Sequence, residues 1–240
     1  MINNNHRILI ISDVHGNATA LRDLLDYESS IGFDYVFGLG DYVGYYPYVN
    51  EVVELIKVLP GWFVSGNHDV GVINASVAAR ESDYRWIDSN ALLTRENRSW
   101  LENLQSEIEL ETQYGKFLLQ HSWPFAMNGY LYPDTKLENP TNNPATFLLG
   151  HTHVQMARAQ GGSRFINPGS VGQPRNGKPG CDYAVLEKGK VTFFHRDYDV
   201  RAASDRMSSW SSSLSIDLLL RSDAKRFDHN PCPIKEFPLN

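Results

Sequence analysis

The sequence predicts an α/β fold whose first three strands are parallel, and two observations carry that prediction. Short apolar runs recur along the chain, and each ends abruptly at Gly, Asn, Asp or His. Stretches with apolar residues at helical spacing separate the first three of these runs. Because strands and helices alternate in this order, parallel strands connected by crossover helices are the expected arrangement.

The first part of the chain is expected to contain three strands and two helices. Residues 8–11, Ile-Leu-Ile-Ile, form a continuous apolar run that is typical of a strand buried on both faces. Asn17 is a suitable N-cap for the next helix, in which Leu21, Leu24 and Leu25 share one face. The remaining predicted elements of this part are a strand at 35–39, a helix at 49–59 and a strand at 62–64.

The pattern changes after a largely helical stretch at 70–105. Thr94 is the candidate N-cap of a helix that extends to about Leu104. Short turns such as 188–190 link the later strand candidates, which indicates hairpins. Those strand candidates are 108–110, 117–119, 146–149, 164–166, 183–186 and 191–194.

A single domain is expected, because the chain has 240 residues, of which 42% are hydrophobic, and shows no linker or repeat. We expect its core to span about 6–198 and the residues 199–240 to form a C-terminal extension without an assigned role. Within the extension a helix at 201–220 is expected, although a run of serines weakens it. Residues from 230 onward are expected to be irregular.

Composition argues against several classes of protein. The formal net charge of −6 argues against a broad basic surface that would bind long nucleic acids. The apolar runs are too short to span a bilayer, and the first residues lack the layout of a signal peptide. Cys181 and Cys232 are far apart in the sequence, so we expect reduced thiols in a cytoplasmic protein.

Five of the apolar runs end in residues that can bind a metal ion. Sites in open α/β sheets form at the carboxyl ends of the strands, so these five ends are expected to converge. Carboxylate, amide and imidazole ligands without a thiolate suit Mn, Fe, Zn or Ni. Seven ligands are too many for one tetrahedral ion but enough for two ions that share a carboxylate. The candidate ligands are Asp13, His15, Asp41, Asn67, His121, His151 and His153.

Each of these motifs alone has a simpler interpretation. The pair of Asp13 and His15 also fits a turn with a capping carboxylate, and residues 66–69 also fit a turn. A lone His121 fits a hydrogen-bonded histidine near the core. The repetition of the pattern at five strand ends favours a functional site. No role is predicted for the three histidines outside this pattern, which are His6, His195 and His229.

In order along the chain, the motifs resemble those of the calcineurin-like metallophosphoesterase superfamily. They are Asp13-x-His15, Gly40-Asp41, Gly66-Asn67-His68-Asp69, His121 and Gly150-His151-Thr152-His153. The stretches 12–17 and 167–175 further resemble the small prokaryotic phosphodiesterase branch. The resemblance implies a four-layer α/β/β/α sandwich, in which two mixed β-sheets pack face to face with helices outside.

The resemblance also implies a dinuclear phosphoesterase. Its activity would be hydrolysis of a small phosphodiester or phosphomonoester by a hydroxide that bridges two divalent transition-metal ions, with manganese expected first and Fe, Zn or Ni as alternatives. His68 would be the general acid, and Asn67 and His68 would contact the substrate. Arg175, which follows the Asn-Pro-Gly-Ser stretch, is a further candidate phosphate contact, with a solvated surface arginine as the alternative. The implied ligands are Asp13, His15, Asp41 and His153 for the first ion, and Asp41, Asn67, His121 and His151 for the second.

One departure from the superfamily pattern concerns His68. Protein serine/threonine phosphatases carry a second aspartate that orients this histidine, and the corresponding position here is Gly44. This difference favours the small prokaryotic branch and leaves open what orients His68.

Two alternative functions and the oligomeric state are left open. A nuclease or a dinucleotide-polyphosphate hydrolase would use the same centre, whereas a non-catalytic metal-binding scaffold would use this fold without turnover. Several aromatic residues lie near the ligand motifs and either stack a base of a dinucleotide substrate or simply pack; they are Tyr42, Tyr45, Tyr46, Tyr48, Trp123 and Phe125. We expect a small phosphate ester as partner, no membrane, and either a monomer or a homo-oligomer.

Overall fold

Two mixed β-sheets and five helices make up the described part of the chain. The computed structural model describes residues 2–74, 93–125, 129–137, 144–210 and 235–239. Most of the helical stretch predicted after residue 74 and the second half of the helix predicted at 201–220 lie outside these ranges, as do His229 and Cys232.

The elements alternate between strands and helices at first and consist mainly of strands later. In chain order they are β1 (Ile8–Ile11), α1 (Ala18–Ile31), β2 (Tyr35–Gly38), α2 (Val49–Lys57), β3 (Gly61–Phe63), α3 (Asn67–Asn74), α4 (Arg95–Glu102), β4 (Glu107–Thr112), β5 (Gly115–Gln120), β6 (Thr146–Leu148), β7 (Met156–Gln160), β8 (Ser163–Asn167), β9 (Cys181–Glu187), β10 (Lys190–Arg196), α5 (Val200–Ser208) and β11 (Glu236–Pro238).

The six-stranded sheet has the order β11-β10-β9-β1-β2-β3, and the five-stranded sheet has the order β4-β5-β6-β8-β7. β1, β2 and β3 are parallel, as the alternating pattern predicts. β9 and β10 form the antiparallel hairpin that the turn at 188–190 predicts. In the second sheet β5, β6 and β8 are parallel to one another. Both sheets are therefore mixed.

The two faces of β1 show how the layers stack. Leu9 and Ile11 belong to an apolar cluster with the inner faces of α1 and α2, whereas Ile8 and Ile10 belong to a second cluster with Phe117 of β5. Because successive side chains of a strand point to opposite faces, one side of this sheet packs on helices and the other packs on the five-stranded sheet. The predicted packing of two mixed sheets face to face, with helices outside, is confirmed.

Capping agrees with the sequence prediction for two helices. The Asn17 side chain accepts a hydrogen bond from the backbone N–H of Ala20 at the start of α1. The Thr94 hydroxyl does the same for the N–H of Asn97 in α4. Each cap satisfies one of the backbone donors that a helix leaves unpaired at its N-terminus. No helix among the described residues is both long and apolar enough to cross a membrane.

Two strands differ from the sequence prediction. β7 was not predicted, because its sequence, Met-Ala-Arg-Ala-Gln, lacks a run of β-branched residues. The residues from 230 onward were predicted to be irregular, but Glu236–Pro238 forms β11 and pairs with β10. Both strands lie at a sheet edge, where one side of the backbone needs no partner strand and the apolar pattern is therefore weaker.

Candidate metal centre

The loops that follow β1, β2, β3, β5 and β6 meet at one edge of the two packed sheets, and backbone hydrogen bonds join them. The N–H of Asp13 donates to Gly40 O (3.0 Å), and the N–H of His15 donates to Asp41 O (2.9 Å). The N–H of Gly150 donates to the carbonyl of His121 (2.9 Å). The carboxyl ends of five strands therefore bring the predicted ligands together, although the loops are far apart in sequence.

One group of side chains surrounds a point next to Asp13. His15 Nε2 and His153 Nε2 are 3.0 Å apart, and His153 Nε2 is 3.2 Å from Asp13 Oδ1. Asp41 Oδ2 lies 3.8 Å from His15 Nε2. Ligand bonds of about 2.0–2.2 Å set neighbouring donor atoms about 3.0–3.5 Å apart around an ion, so most of these spacings suit a single ion.

A second group lies on the other side of Asp41. His121 Nε2 is 3.2 Å from Asp41 Oδ2 and 3.1 Å from Asn67 Oδ1. One potential ligand atom from each of Asp41, His121 and His151 lies within 4.8 Å of the other two. Asp41 therefore lies between the two groups, where a shared carboxylate would have to be.

The histidine rings are anchored in the orientation that metal ligands need. His121 Nδ1 lies 2.6 Å from Leu39 O and His153 Nδ1 lies 2.7 Å from Gln173 O, and a third backbone carbonyl lies 3.3 Å from Nδ1 of His15. A carbonyl oxygen only accepts, so each Nδ1 carries the hydrogen and a neutral ring presents the lone pair of Nε2. The facing Nε2 atoms of His15 and His153 therefore fit a cation bound between them.

The electrostatics of the centre also favour a cation. Asp13 is buried, and its Oδ1 has no hydrogen-bond partner. Burial alone would raise the pKa of this carboxyl, but His153 and His121 hold the pKa well below its usual range. Burial lowers the pKa of His121, but Asp41 and Asp13 outweigh that effect and raise it to about 10. A divalent ion would supply the positive charge that these two carboxylates favour, and it would leave the His121 ring neutral.

The backbone of the centre is strained. Among the described non-glycine residues, seven have positive φ angles, and six of those seven belong to the loops of the centre. This left-handed conformation is uncommon for residues with a Cβ atom, and such strain clusters at functional sites. The six residues are Asp13, His15, Asp41, Tyr45, His151 and His153.

His68 lies against the first group. It is 8% exposed, its ring meets that of His15 edge to face at 4.7 Å, and its backbone N–H donates to Asp41 Oδ1 (2.7 Å). Burial lowers the pKa of His68 to about 4, although Asp41 opposes the shift. A ligand atom of His68 also lies within 4.8 Å of ligand atoms of His15 and Asp41, so the ring is near enough to act as an acid or as a ligand.

Asp69 has a structural role that the sequence did not indicate. Its carboxylate accepts hydrogen bonds from the backbone N–H groups of Asp41, Tyr42, Val43 and Gly66 at 2.8–3.1 Å. Burial and the charge of Asp41 raise the pKa of Asp69 to about 7, against the effect of these donors. Asp69 thus holds the loop after β2 against the loop after β3. Its place in the motif at 66–69 is the one feature of the sequence from which this role could have been predicted.

Arg175, the remaining predicted substrate contact, lies beside His153. Its backbone N–H donates to the carbonyl oxygen of His153 (3.1 Å). Its guanidinium is close enough to lower the pKa of His153, an effect second to that of burial.

Most of the aromatic residues near the ligand motifs are buried. Tyr42, Tyr46 and Trp123 are at most 2% exposed, so these rings pack in the protein and cannot stack a base. Phe125 is 79% exposed.

Comparison with known proteins gives consistent results. A family model described as the calcineurin-like phosphoesterase superfamily domain matches residues 7–190. An uncharacterised protein of Methanocaldococcus jannaschii is 30% identical over 222 residues, which cover 83% of this chain and 91% of that protein. The phosphodiesterase YfcE of Escherichia coli is 24% identical over 182 residues, covering 75% of this chain and 87% of YfcE.

A solved structure shares both the fold and part of the sequence. The crystal structure of a metallophosphoesterase from Sphaerobacter thermophilus aligns with a TM-score of 0.70 and 27% identity. The alignment covers 89% of this chain and 98% of that protein. The resemblance that the five motifs indicated, including the resemblance to the small prokaryotic phosphodiesterases, is confirmed.

Proposed function

Because the chain belongs to the calcineurin-like phosphoesterase superfamily, we propose that it hydrolyses small phosphate esters with the help of two divalent metal ions. The observation that carries the proposal is the pair of Nε2 atoms of His15 and His153, which face each other at 3.0 Å. Two neutral imidazoles whose Nδ1 atoms carry the hydrogens would repel each other in this arrangement unless a cation lay between them.

We assign seven side chains to the two ions. Asp41 is the shared ligand, because its Oδ2 faces both groups, 3.8 Å from His15 Nε2 and 3.2 Å from His121 Nε2. Manganese is the first expectation, with Fe, Zn or Ni as alternatives, since the donors are oxygen and nitrogen atoms without a thiolate. The first ion would be held by Asp13, His15, Asp41 and His153, and the second by Asp41, Asn67, His121 and His151.

Bound divalent ions would supply Lewis acidity toward the phosphoryl oxygens and lower the pKa of a water molecule. His68 would hold a proton beside the leaving oxygen and donate it as the bond to phosphorus breaks, a contribution of about 10²–10⁴ in rate. Its burial and its edge-to-face contact with His15 support this role, because they hold the ring beside the first group. Burial lowers the pKa of the ring to about 4, so the negative charge of a bound phosphate ester would be needed to keep the proton on His68 at neutral pH. Asn67 and Arg175 would orient the phosphate.

A groove beside the centre favours a small ester. The groove has a volume of about 560 Å³ and runs from Asn67 and His121 to the start of β4. Apart from the proposed ligand His121, Glu107 is the one charged side chain among the described residues that line it. A carboxylate here would repel a second phosphate, so a simple mono- or diester suits the groove better than a dinucleotide polyphosphate.

Metal analysis and kinetics together test the proposal. Protein loaded with manganese should carry two ions per chain and hydrolyse bis-p-nitrophenyl phosphate. We expect His68→Ala to keep both ions and lose about 10²-fold or more of kcat, whereas the control His6→Ala, remote from the centre, should match the unmodified protein. Loss of one ion in His68→Ala would make this residue a ligand instead.

Substrate range decides between the alternatives. The fully loaded protein should be screened with Mn, Fe, Zn and Ni on mono- and diesters, including cyclic and dinucleotide substrates. Preferential hydrolysis of a diadenosine polyphosphate would contradict our assignment of a small ester. Absence of turnover with every ion and substrate would favour a non-catalytic scaffold.

A further inference from the structure

Tyr45 combines an unfavourable backbone with a position next to the centre. Its φ angle is 62°, which is uncommon for a bulky residue with a Cβ atom, and its side chain is only 9% exposed. Such a conformation persists when the surrounding structure enforces it, and it indicates a functional constraint on the position of the side chain.

The Tyr45 ring lies parallel to the imidazole of His68. The ring centroids are 4.7 Å apart with an interplanar angle of 28°, which is a stacked arrangement. The His15 ring meets both of these rings edge to face, and its centroid is 4.7 Å from that of Tyr45 and 4.7 Å from that of His68. The imidazole of His68 is therefore confined between a proposed metal ligand and a tyrosine ring.

Gly44 encloses the His68 ring on another side. A Cβ atom at this position would lie 2.5 Å from His68 Nδ1 and 3.1 Å from His68 Cγ, with a φ angle of 89°. No side chain can therefore occupy the position from which the protein serine/threonine phosphatases of the superfamily orient their histidine. The space that a carboxylate would need is taken by the histidine ring itself.

The loop that carries Tyr45 is fastened from outside the centre. Gln173 Nε2 donates to the hydroxyl of Tyr46 (3.0 Å), and the Tyr48 hydroxyl donates to the carbonyl of Arg206 in α5 (2.7 Å). Apolar side chains of α5 pack against Tyr45 and Tyr46. This support fixes the backbone that presents the Tyr45 ring.

We propose that Tyr45 is a positioning residue, which holds the His68 imidazole by stacking so that it points at the leaving oxygen. The inference rests on the proposed phosphoesterase function. In that reaction a water oxygen forms a bond to phosphorus, and the bond between phosphorus and the leaving oxygen breaks so that this oxygen keeps the electron pair. The leaving oxygen takes the proton of His68, which regains one from solvent, while the water gives up its own proton to solvent.

Two leaving groups test the inference by kinetics. Phenoxide needs the proton of His68 more than p-nitrophenoxide does, so a misplaced acid should affect phenyl esters more. We expect Tyr45→Leu to lower kcat on a phenyl ester about tenfold or more, with a smaller loss on the p-nitrophenyl ester and little change in KM. The conservative Tyr45→Phe should keep both rates within about threefold, because the stacked ring remains.

An independent readout comes from NMR of the zinc-loaded protein, which is diamagnetic. The ring-current field of Tyr45 should shift the His68 ring resonances in the unmodified protein and in Tyr45→Phe, and the shift should be lost in Tyr45→Leu. Metal analysis should find two ions in all three proteins. If the leucine variant does not fold, Tyr45→Met removes the ring with a more flexible side chain.

The outcomes separate this inference from the proposed function. Hydrolysis of neither ester by the unmodified, metal-loaded protein would contradict the proposed function itself. An active protein whose Tyr45→Leu variant keeps the same ratio of kcat for the two esters and the same His68 resonances would overturn the role of Tyr45.

Discussion

At the scale of single residues, Asp69 links the conformation of the centre to the stability of the fold. Each of its carboxylate oxygens accepts two backbone hydrogen bonds; three of the four come from the loop after β2, and the fourth comes from Gly66 in the loop after β3. An asparagine in the same place would keep one acceptor oxygen and turn an amide NH₂ toward two backbone donors. Those donors would then be buried without a partner.

We therefore predict that Asp69→Asn destabilises the protein by about 2–6 kcal/mol, since each of the two orphaned donors costs about 1–3 kcal/mol. Urea unfolding monitored by circular dichroism would measure the change. The variant should also bind metal more weakly, because Asp41 belongs to one of the released loops. Asp26→Asn on the exposed surface of α1 is the matched control and should leave the midpoint unchanged; an equal midpoint for both variants would contradict the prediction.

The sequence allowed the metal-competent residues to be named, but not the residues that hold them. Asp13, His15 and Asp41 could be proposed because carboxylates and imidazoles after buried strands are chemically conspicuous. Asp69 and Tyr45 act through backbone amides and ring stacking with loops that pairing of strands brings near. Ordinary turn chemistry accounts equally well for both residues in the sequence, so only the three-dimensional structure distinguishes them.

At the scale of elements, α5 connects the C-terminal extension to the centre. Met207 is fully buried in a small cluster that includes Tyr45, Tyr46, Val200 and Ala203. The helix follows the last residue matched by the family model, residue 190. A helix outside the matched region thus supports the loop next to His68.

Truncating Met207 should accordingly affect both stability and turnover. We predict that Met207→Ala destabilises the protein by about 2–4 kcal/mol through the cavity it leaves, and that it lowers kcat more than it raises KM. Met207→Leu conserves most of the volume and should cost less than about 1.5 kcal/mol. Unfolding curves and steady-state kinetics of the two variants would provide the comparison. An unchanged kcat in a destabilised Met207→Ala variant would show that α5 does not support the centre.

The elements themselves were predictable in proportion to their burial. β1 lies in the middle of its sheet with all four residues buried, and its bounds match the apolar run. β7 and β11 pair on one side only, and both contain exposed or half-buried residues without an apolar run, so the sequence pattern that identifies a buried strand is weak there. Long-range pairing therefore decided these two strands.

At the scale of the whole molecule, the net charge of −6 changes meaning once the centre is known. Two of the negative charges, those of Asp13 and Asp41, lie buried in the proposed metal site. Two divalent ions would add four positive charges at the same place and bring the protein to −6 + 4 = −2. An acidic protein would then present a positive cleft to a phosphate ester.

Removing the metal should lower the stability of the whole domain. Each ion that binds only the folded chain stabilises it by about 2.7 kcal/mol when its free concentration is a hundred times the Kd, so two ions contribute about 5 kcal/mol. For a chain of this size, 1 kcal/mol corresponds to about 2–4 °C in Tm, so we predict that a chelator lowers Tm by about 10–20 °C. Differential scanning calorimetry with and without chelator would measure this shift, and added manganese should reverse it. Replacing the proposed ligand in His153→Ala should shrink the shift, whereas His68→Ala should preserve it. A Tm that does not respond to chelator in the unmodified, metal-loaded protein would contradict a metal centre built into the junction of the two sheets.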